Sequence, residues 1–384
     1  MNILNNISGV REKCCQCNNC INVCRAGAIS YTINKNGTAI PLVNNKCVNC
    51  GKCYNSCPVI NISHKFMPFK QSYFWFVNKN TDIVSKSSSG GMFYEIAKTF
   101  LESGGIVFAS KFDSKKLVFD CFDEISKVTP FLKSKYVESR TQSVFIKVKQ
   151  LLDSNKRVLF VGAPCQVAAL KLFVNDSPNL MTVDFVCGGM PLEQIYNSYI
   201  EELEKKYQSK IKSIDFRPKS ISWKIHQLRI VFENGKHILE TMYKNPYMYY
   251  FVLKKRTVRE SCIDCLFKDK HMSDIVIADY WMANKQLKEQ FTDGISLVII
   301  NSRKGSALFE EITREGHKYG QLKSEQGNYV FNKSEVSEES KKNIIAERNL
   351  ILSKGVINQY KSQSTKEKIK LLIKDFLYRT RLRK

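Results

Sequence analysis

Eight cysteines near the start of the chain form two copies of one spacing pattern. In each copy, three cysteines follow one another at intervals of three residues and a fourth comes four residues later. The first copy is Cys14, Cys17, Cys20 and Cys24, and the second, 33 residues further on, is Cys47, Cys50, Cys53 and Cys57. Because thiolates bind iron and zinc, the repeat predicts a pair of metal centres.

The spacing favours iron–sulfur clusters. Three thiolates within seven residues can bind three irons of one cubane, while the fourth cysteine reaches a neighbouring cluster. We therefore predict two [4Fe–4S] clusters, one bound by Cys14, Cys17, Cys20 and Cys57 and the other by Cys47, Cys50, Cys53 and Cys24. Two structural zinc sites are the alternative, but zinc sites usually draw on separated cysteine pairs.

Residues 1–62 thus resemble a bacterial ferredoxin domain with two clusters. Arg25 departs from that family, which usually has proline after the fourth cysteine, whereas Pro58 fits. Cys15 matches no ligand position, and we interpret it as incidental. Between the two copies, Asn36-Gly37 separates two β-prone runs and predicts a hairpin. Such a domain would conduct electrons to the rest of the chain.

Composition narrows the function classes. The 384 residues, 43% of them hydrophobic, are enough for two or three domains. No run of about 18 apolar residues and no signal-peptide pattern is found, so we expect a cytoplasmic protein whose 14 cysteines serve metal or redox chemistry rather than disulfides. The formal net charge of +24 favours an acidic partner. Dispersed basic residues and the lack of a nucleic-acid-binding motif argue against nucleic acid.

Four later cysteines could form a third metal site. Cys165 and Cys187 each follow a short apolar strand, and ligands gather at the carboxyl ends of strands in open α/β sheets. Cys262 and Cys265 add two thiolates, which would complete a ligand set for another [4Fe–4S] cluster. The spacing leaves two alternatives open, because isolated cysteines often pack in cores and a lone CxxC can be a dithiol redox pair.

Six segments occur in order across residues 85 to about 320: "SSGGMF", "GAPCQVAALK", "VDFVCGGMP", "SIDFRPK", "ESCIDCLFK" and "DIVIADYW". Together they resemble the coenzyme F420 hydrogenase/dehydrogenase β-subunit family, which includes plant and cyanobacterial reductases of chlorophyll intermediates. With a ferredoxin-type domain in front, the arrangement is similar to bacterial members found among polysaccharide-biosynthesis genes.

The resemblance implies an iron–sulfur flavoprotein oxidoreductase. Electrons would pass from a ferredoxin-type donor through [4Fe–4S] clusters and FAD to a small-molecule acceptor, which is F420-like or an intermediate of a glycan pathway. The family's cysteine motifs match Cys165, Cys187, Cys262 and Cys265, which implies a third cluster beside the flavin. The candidate flavin contacts are Ser89, Gly90, Gly91, Gly162, Ala163 and Pro164, although the first three could simply cap a helix.

Two departures from the family concern the substrate. Gly188 stands where relatives commonly have histidine, and Met282 ends a segment that commonly reads Asp-Phe-Trp-Gly. Both changes argue for a different substrate than F420 itself. Asp184 and Asp279 would be proton-donor candidates if buried, but we expect surface or capping carboxylates and assign no catalytic residue.

We expect a fold of the α+β or α/β class, with a small ferredoxin-like domain before a larger mixed α/β flavin-binding domain. The predicted ranges are 1–62 for the ferredoxin-type domain, 63–84 for a linker, 85–345 for the larger domain (parts 85–156 and 157–345), and 346–384 for a basic C-terminal amphipathic helix. Asn234-Gly235 predicts a second hairpin, and residues 294–312 are typical of strand, turn and helix.

The expected partners are a redox partner protein or reduced ferredoxin. An alternative function is an electron-transfer subunit that has no substrate chemistry and serves a partner enzyme; bound flavin would discriminate between the two. In residues 365–384, apolar residues at steps of three and four form one face among basic residues. This pattern predicts peripheral contact with an anionic membrane on its inner side, or packing on the chain's own core or a second subunit.

Overall fold

The computed structural model describes residues 6–62, 70–141, 143–175, 177–331 and 335–381. The strands in these ranges are β1 (Ile29–Ile33), β2 (Ala39–Val43), β3 (Ser72–Val77), β4 (Ile106–Asp113), β5 (Lys116–Phe122), β6 (Val158–Gly162), β7 (Leu180–Phe185), β8 (Ile211–Asp215), β9 (Gln227–Phe232), β10 (His237–Thr241), β11 (Ile275–Asp279), β12 (Ser296–Ile300) and β13 (Lys318–Leu322). The α-helices are α1 (Asn19–Val23), α2 (Lys52–Asn55), α3 (Thr81–Lys86), α4 (Met92–Glu102), α5 (Val144–Asp153), α6 (Pro164–Val174), α7 (Glu193–Tyr207), α8 (Pro246–Met248), α9 (Glu260–Ile263), α10 (Lys285–Gln290), α11 (Arg303–Thr313), α12 (Ser324–Gly327), α13 (Glu338–Lys354), α14 (Val356–Lys361) and α15 (Thr365–Arg381).

An eight-stranded mixed sheet forms the centre of the larger domain. Its strand order is β13-β3-β12-β11-β7-β6-β4-β5, with parallel pairing from β4 through β6 and β7 to β11 and antiparallel pairing elsewhere. All five residues of β6 are buried. Because both faces of this strand are covered, its sequence is a continuous apolar run. Since β6, β7 and β11 are parallel neighbours, their carboxyl ends meet at one edge, where the segments with Cys165, Cys187 and Asp279 begin.

The cysteine-rich N-terminal unit is a two-stranded hairpin with two short helices. β1 and β2 pair antiparallel from Ile29 opposite Val43 to Ile33 opposite Ala39. The unit packs directly on the larger domain, because the Asn19 side-chain amide donates to the carbonyl of Ala169 on α6 at 2.7 Å. At the tip of the hairpin, the side-chain amides of Asn34 and Asn36 both donate to the Glu260 carboxylate at the start of α9.

A second sheet and the C-terminal helices complete the structure. β8, β9 and β10 form an antiparallel sheet in the order β10-β9-β8. Its apolar side chains share one core with α7 and with residues of α13, α14 and α15. The region predicted as one C-terminal helix therefore contains a break at Gly355 and a second one before Thr365. None of the described helices is both long and apolar enough to cross a membrane.

The mixed α/β class is confirmed, and so are both hairpins and the predicted strand, turn and helix of residues 294–312. The predicted linker 63–84 is not a simple connection. Its first part, residues 63–69, lies outside the described residues, whereas β3 belongs to the large sheet between β12 and β13. The sequence of β3, SYFWFV, contains the aromatic residues that favour a strand.

Candidate functional site

The four cysteines predicted to bind one cluster, Cys14, Cys17, Cys20 and Cys57, are called the first cysteine set below. They surround a small buried pocket inside the N-terminal unit. Cys14, Cys17, Cys20 and Cys57 all line this pocket and are all buried. Burial and, after it, the neighbouring thiols of Cys14 and Cys57 together raise the pKa of Cys20 to about 12. Thiols held together in an apolar pocket are therefore poor thiolates until a cation neutralises them, as a bound metal would. The chain thus brings together the residues predicted for one cluster.

The second cysteine set comprises the ligands predicted for the other cluster, Cys24, Cys47, Cys50 and Cys53. It lies nearer the surface of the same unit. Cys50 is exposed, Cys24 and Cys47 are half-buried, and Cys53 is buried. Cys47 is among the groups that raise the pKa of Cys53, after the effect of burial. The two predicted sites therefore differ in their access to solvent, and the second is the more accessible.

The four later cysteines line one cavity at the carboxyl edge of the parallel strands. The cavity has a volume of about 720 Å³, and Cys165, Cys187, Cys262 and Cys265 are all on its wall. Burial raises the pKa of Cys187 and of Cys262, and the other thiols of the set add to this effect. Three loops that are far apart in sequence thus converge on one small region.

Backbone amides point at several of these sulfurs. The N–H groups of Gly189, Met190 and Phe267 donate to the Sγ atoms of Cys187, Cys262 and Cys265, each at 3.4 Å. In the N-terminal unit, the amide of Gln16 donates to Cys14 Sγ at 3.3 Å, and that of Ala28 donates to Cys24 Sγ at 3.4 Å. Such bonds stabilise negative charge on sulfur and tune the potential of iron–sulfur clusters.

Cys15 lies at the junction between the N-terminal unit and the cavity. Its buried thiol hydrogen-bonds to the thiols of Cys17 and Cys165, which belong to two different cysteine sets. The buried Arg259 guanidinium donates to the Cys15 carbonyl at 2.6 Å and forms an ion pair of 2.7 Å with Glu138. Sequence patterns did not single out Arg259 or Glu138, because isolated charged residues without a motif resemble surface positions.

The predicted flavin turns contribute to the cavity only in part. Ser89, Gly91 and Pro164 line it, whereas Gly90, Gly162 and Ala163 are not on its wall. Ser296 Oγ accepts a hydrogen bond from the Gly90 amide at 3.0 Å, so this amide is already used within the protein. A Cβ at Gly90 would come within 2.2 Å of the Phe76 carbonyl oxygen, which explains the glycine by close packing.

Cationic and aromatic side chains cover another part of the wall. Burial lowers the pKa of Lys135 to about 7, and its ammonium donates to the carbonyls of residues 131, 132 and 133. Trp281 stacks on His226 with ring centroids 5.4 Å apart. Burial lowers the pKa of His226 to about 4, so its imidazole is neutral at neutral pH. This wall offers flat rings and cationic groups to a ligand.

The expectation of surface or capping carboxylates is wrong for Asp184, which is buried and paired, whereas Asp279 is half-buried and also paired. Asp184 is fully buried, and its carboxylate lies 2.7 Å from His271 Nδ1. Burial raises the pKa of Asp184, and Asp184 raises the pKa of His271 although burial alone would lower it. Asp279 forms an ion pair of 2.8 Å with the buried Arg217. His271 and Asp279 both line the cavity.

Comparison with known proteins finds a family match for one part of the chain. Residues 155–324 match the family described as the C terminus of the beta subunit of coenzyme F420 hydrogenase/dehydrogenase. This part of the chain is similar to that family. The chain is also similar to a solved structure from "Xenon derivatization of the F420-reducing [NiFe] hydrogenase complex from Methanosarcina barkeri", with 14% identity, a TM-score of 0.45, and coverage of 77% of this chain and 90% of that chain. No curated protein matches.

The part of the chain that matches this family contains most of the cavity's reactive groups. The four later cysteines, His271 and Asp279 all lie within residues 155–324. Gly188 and Met282, the two departures from the family pattern, lie in the same range. The Lys255 ammonium donates to the Gly188 carbonyl at 2.9 Å, and a Cβ at Gly188 would come within 2.7 Å of that ammonium. A lysine therefore occupies the space near the missing histidine.

A separate group has the composition of a metal site. Within the described ranges, Glu95, Glu315 and His317 bring one ligand atom each to within 4.8 Å of one another. However, the amide of Lys79 donates to His317 Nδ1 at 3.2 Å, so Nε2 carries the proton of the neutral ring and cannot bind a metal. The Lys98 ammonium also lies 2.5 Å from Glu315. We therefore interpret this group as a partly buried ion-pair network.

Proposed function

We propose that the protein is an iron–sulfur flavoprotein oxidoreductase. It passes electrons from a redox partner protein, such as a reduced ferredoxin, to a small-molecule acceptor. The observation that carries this proposal is the order of the three cysteine sets. One set reaches the surface, the next is buried at the junction, and Cys15 connects that set to Cys165 on the cavity wall. The match of residues 155–324 to the beta-subunit family of coenzyme F420 hydrogenase/dehydrogenase supports it.

The donor atoms fit the proposed clusters. Each set offers four thiols, and backbone amides donate to at least one sulfur in every proposed ligand set. Two structural zinc sites are the alternative for the N-terminal cysteines, but zinc sites usually draw on separated cysteine pairs rather than on a repeated triplet.

The cavity fits a flavin in size and in wall chemistry. A volume of about 720 Å³ lies within the range of about 300–1,000 Å³ that is usual for small-molecule sites. When bound, FAD would exchange electrons singly with clusters and in pairs with a substrate. Trp281 and neutral His226 offer stacking surfaces, and Lys133 and Lys255 offer positive charge. Ser89, Gly91 and Pro164 are the predicted contacts that remain available for it.

One buried pair could supply a proton to the acceptor. The Asp184–His271 pair lies beside the cavity and binds a proton more tightly than either side chain would in water. Asp279 is different, since its partner at 2.8 Å is the buried guanidinium of Arg217 rather than an imidazole. We propose His271 as the group that gives a proton to the acceptor and Asp184 as the residue that orients its ring. The acceptor is F420-like or a glycan-pathway intermediate.

The alternative is an electron-transfer subunit that serves a partner enzyme without substrate chemistry of its own. The cavity favours the first function, because a subunit that only conducts electrons needs clusters but no ligand-sized space lined by cysteines. Anaerobic purification of the full-length protein, followed by measurement of iron, acid-labile sulfide and flavin, distinguishes the two. We expect one flavin per chain beside the clusters. Clusters without flavin would support the alternative, and zinc in place of iron would contradict both.

We further propose that α15 holds the protein on an anionic membrane. The helix packs on the protein through Leu371, Asp375 and Tyr378, and the Tyr378 hydroxyl donates to the Lys224 carbonyl at 2.9 Å. Its apolar residues face the other way, with exposed fractions of 52% for Ile369, 57% for Leu372, 54% for Ile373 and 66% for Phe376. The predicted packing of the helix on the chain's own core is thus found on one face of α15, while its apolar face stays exposed.

The helical geometry places the charges where a membrane would need them. At about 100° per residue, the exposed apolar residues centre opposite Leu371, and lysines and arginines flank them on both sides. The flanking residues are Lys368 and Arg379 on one side and Lys370 and Lys374 on the other. A helix of this kind lies in a lipid surface with its apolar face among the acyl chains and its cations near the headgroups. Arg383 and Lys384, also part of the predicted basic tail, lie outside the described residues.

Sedimentation with vesicles tests the membrane proposal. We expect full-length protein to sediment with vesicles containing phosphatidylglycerol, and Leu372→Glu/Phe376→Glu to stay in the supernatant. Leu350→Glu is the matched control, because Leu350 is an exposed leucine on α13. Equal sedimentation of both variants would contradict the proposal. If the wild-type protein forms a dimer and the double variant does not, the apolar face would instead bind a second copy of the chain.

A further inference from the structure

The surface around the second cysteine set has an unusual charge distribution. Each of its cations is the sequence neighbour of a predicted ligand: Arg25 follows Cys24, Lys46 precedes Cys47, and Lys52 precedes Cys53. All three cations are exposed. None of them has an ion-pair partner among the residues that the structure describes.

Acidic residues are nearly absent from this part of the chain. In residues 6–62, Glu12 is the single acidic residue, against six lysines and arginines. Glu12 stands next to the first cysteine set rather than the second. The positive side chains around the second set are therefore not balanced by local carboxylates.

Apolar side chains also reach the surface at the same place. Val48, between Cys47 and Cys50, is 72% exposed, and Tyr54, directly after Cys53, is exposed as well. Among the described cysteines, Cys50 is the one predicted cluster ligand that is fully at the surface. By contrast, the first set is buried behind the hairpin and α6, and the third set lies inside the cavity.

We propose that this surface, made of Arg25, Lys46, Val48, Lys52 and Tyr54, is the docking site of an acidic electron-carrier protein. The inference rests on the proposed clusters and names the partner's chemistry. Complementary charges would steer the partner, and the exposed apolar residues would let the two redox centres approach closely. One electron would move from the partner's reduced centre to the cluster bound by Cys24, Cys47, Cys50 and Cys53, with no bond broken and no proton transferred.

The test uses an acidic two-cluster bacterial ferredoxin, reduced beforehand, and the full-length anaerobic protein in stopped-flow mixing. We expect the second-order rate constant of electron transfer to fall steeply as salt is added, because salt screens exposed charges. Lys46→Glu/Lys52→Glu should lower this rate constant about tenfold at low salt. Lys35→Glu is the matched control, since Lys35 is an exposed lysine on the hairpin loop and away from the second set.

Two further measurements separate the outcomes. Iron content and reduction by dithionite, a small reductant that needs no docking, should match wild type in both charge variants. If wild-type protein contains no iron, the proposed function itself fails. If iron is present but the rate constant is independent of salt and equal in the double variant and the Lys35 control, the docking surface is wrong. If the double variant loses iron, the wild-type rate constant alone tests the docking surface. A rate constant that falls with added salt supports the surface, and one that is independent of salt contradicts it.

Discussion

The guanidinium of Arg259 lies 2.6 Å from the carbonyl oxygen of Cys15 and joins the N-terminal unit to the cavity. The arginine is buried and its charge acts on Cys14, Cys165 and Cys262, where it opposes the rise in pKa that burial causes. A buried cation therefore stands between the first cysteine set and the third. Thiolate-bound clusters at these positions would be stabilised in their more negative, reduced forms.

Arg259→Gln should lower the reduction potentials of the clusters nearest to it. A shift of about 60 mV corresponds to a tenfold change in a one-electron equilibrium. Redox titration followed by electron paramagnetic resonance measures the shift, with iron content as the check on structure. Arg259→Gln/Glu138→Gln is the control, because it removes the 2.7 Å ion pair without changing the net charge, and should restore most of the potential. Identical shifts in both variants would show that the arginine acts only through packing.

Cys262→Ser should remove about four irons per chain, the content of one cubane, because serine supplies no thiolate. Cys121→Ser is the matched control. Cys121 lies on β5 and accepts a hydrogen bond from the Lys147 ammonium at 3.2 Å, away from the cavity cysteines. Iron and sulfide analysis of both anaerobic proteins measures the difference. Equal iron in the two variants would exclude a cluster at the cavity.

Asp184→Asn should destabilise the fold by about 3 kcal/mol, because it breaks a buried ion pair. The loss should depend on pH. His271 has its folded pKa raised above the ordinary value of 6.5, so its stabilising contribution is complete below pH 6.5 and is lost as the pH rises through the folded pKa. Lys171 and Asp269 are the other charged groups that act on this pair. Urea unfolding of wild type and variant should therefore show a difference that shrinks at alkaline pH; a constant difference would mean that the pair is not ionic.

Gly90→Ala should destabilise the protein by about 1–3 kcal/mol, the usual cost of overpacking. The new methyl group would lie 2.2 Å from the Phe76 carbonyl and 2.8 Å from the Ser296 amide nitrogen, so the turn beside the cavity must move. Gly9→Ala is the control, since nothing lies within 4 Å of its Cβ position. Thermal unfolding and bound flavin measure both effects. If Gly90→Ala retains wild-type stability and flavin, the turn is not closely packed.

The sequence predicts those parts of the site whose ligands are close together in the chain and follow a regular spacing. The repeated cysteine pattern brings the first set around one pocket, and Asn36-Gly37 forms the hairpin between the copies because that dipeptide suits a tight turn. The family motifs also placed the four later cysteines on one cavity. Nothing in the spacing alone requires three loops to meet there, since sheet order is decided by packing across the whole domain.

Long-range partners were not predictable. Arg259 and Glu138 are 121 residues apart, and their ion pair exists only because distant segments of the chain close over it. Asp184 was expected at the surface because a carboxylate after a strand usually is, yet His271, 87 residues later, balances its charge. The apolar face of α15 was visible as a pattern, but its direction depends on Asp375 and Tyr378, which fix the opposite face to the protein.

In the proposed mechanism, electrons cross the cysteine sets in series to reach the cavity. Stopped-flow reduction of protein-bound flavin by a reduced ferredoxin tests this order most directly. We compare wild type with Cys53→Ser, which alters the surface set, and with Cys121→Ser, which alters none. We expect rapid flavin reduction in wild type and in Cys121→Ser, and strong slowing in Cys53→Ser although flavin stays bound. Flavin reduction at the wild-type rate in a Cys53→Ser protein that has lost about four irons would contradict the mechanism.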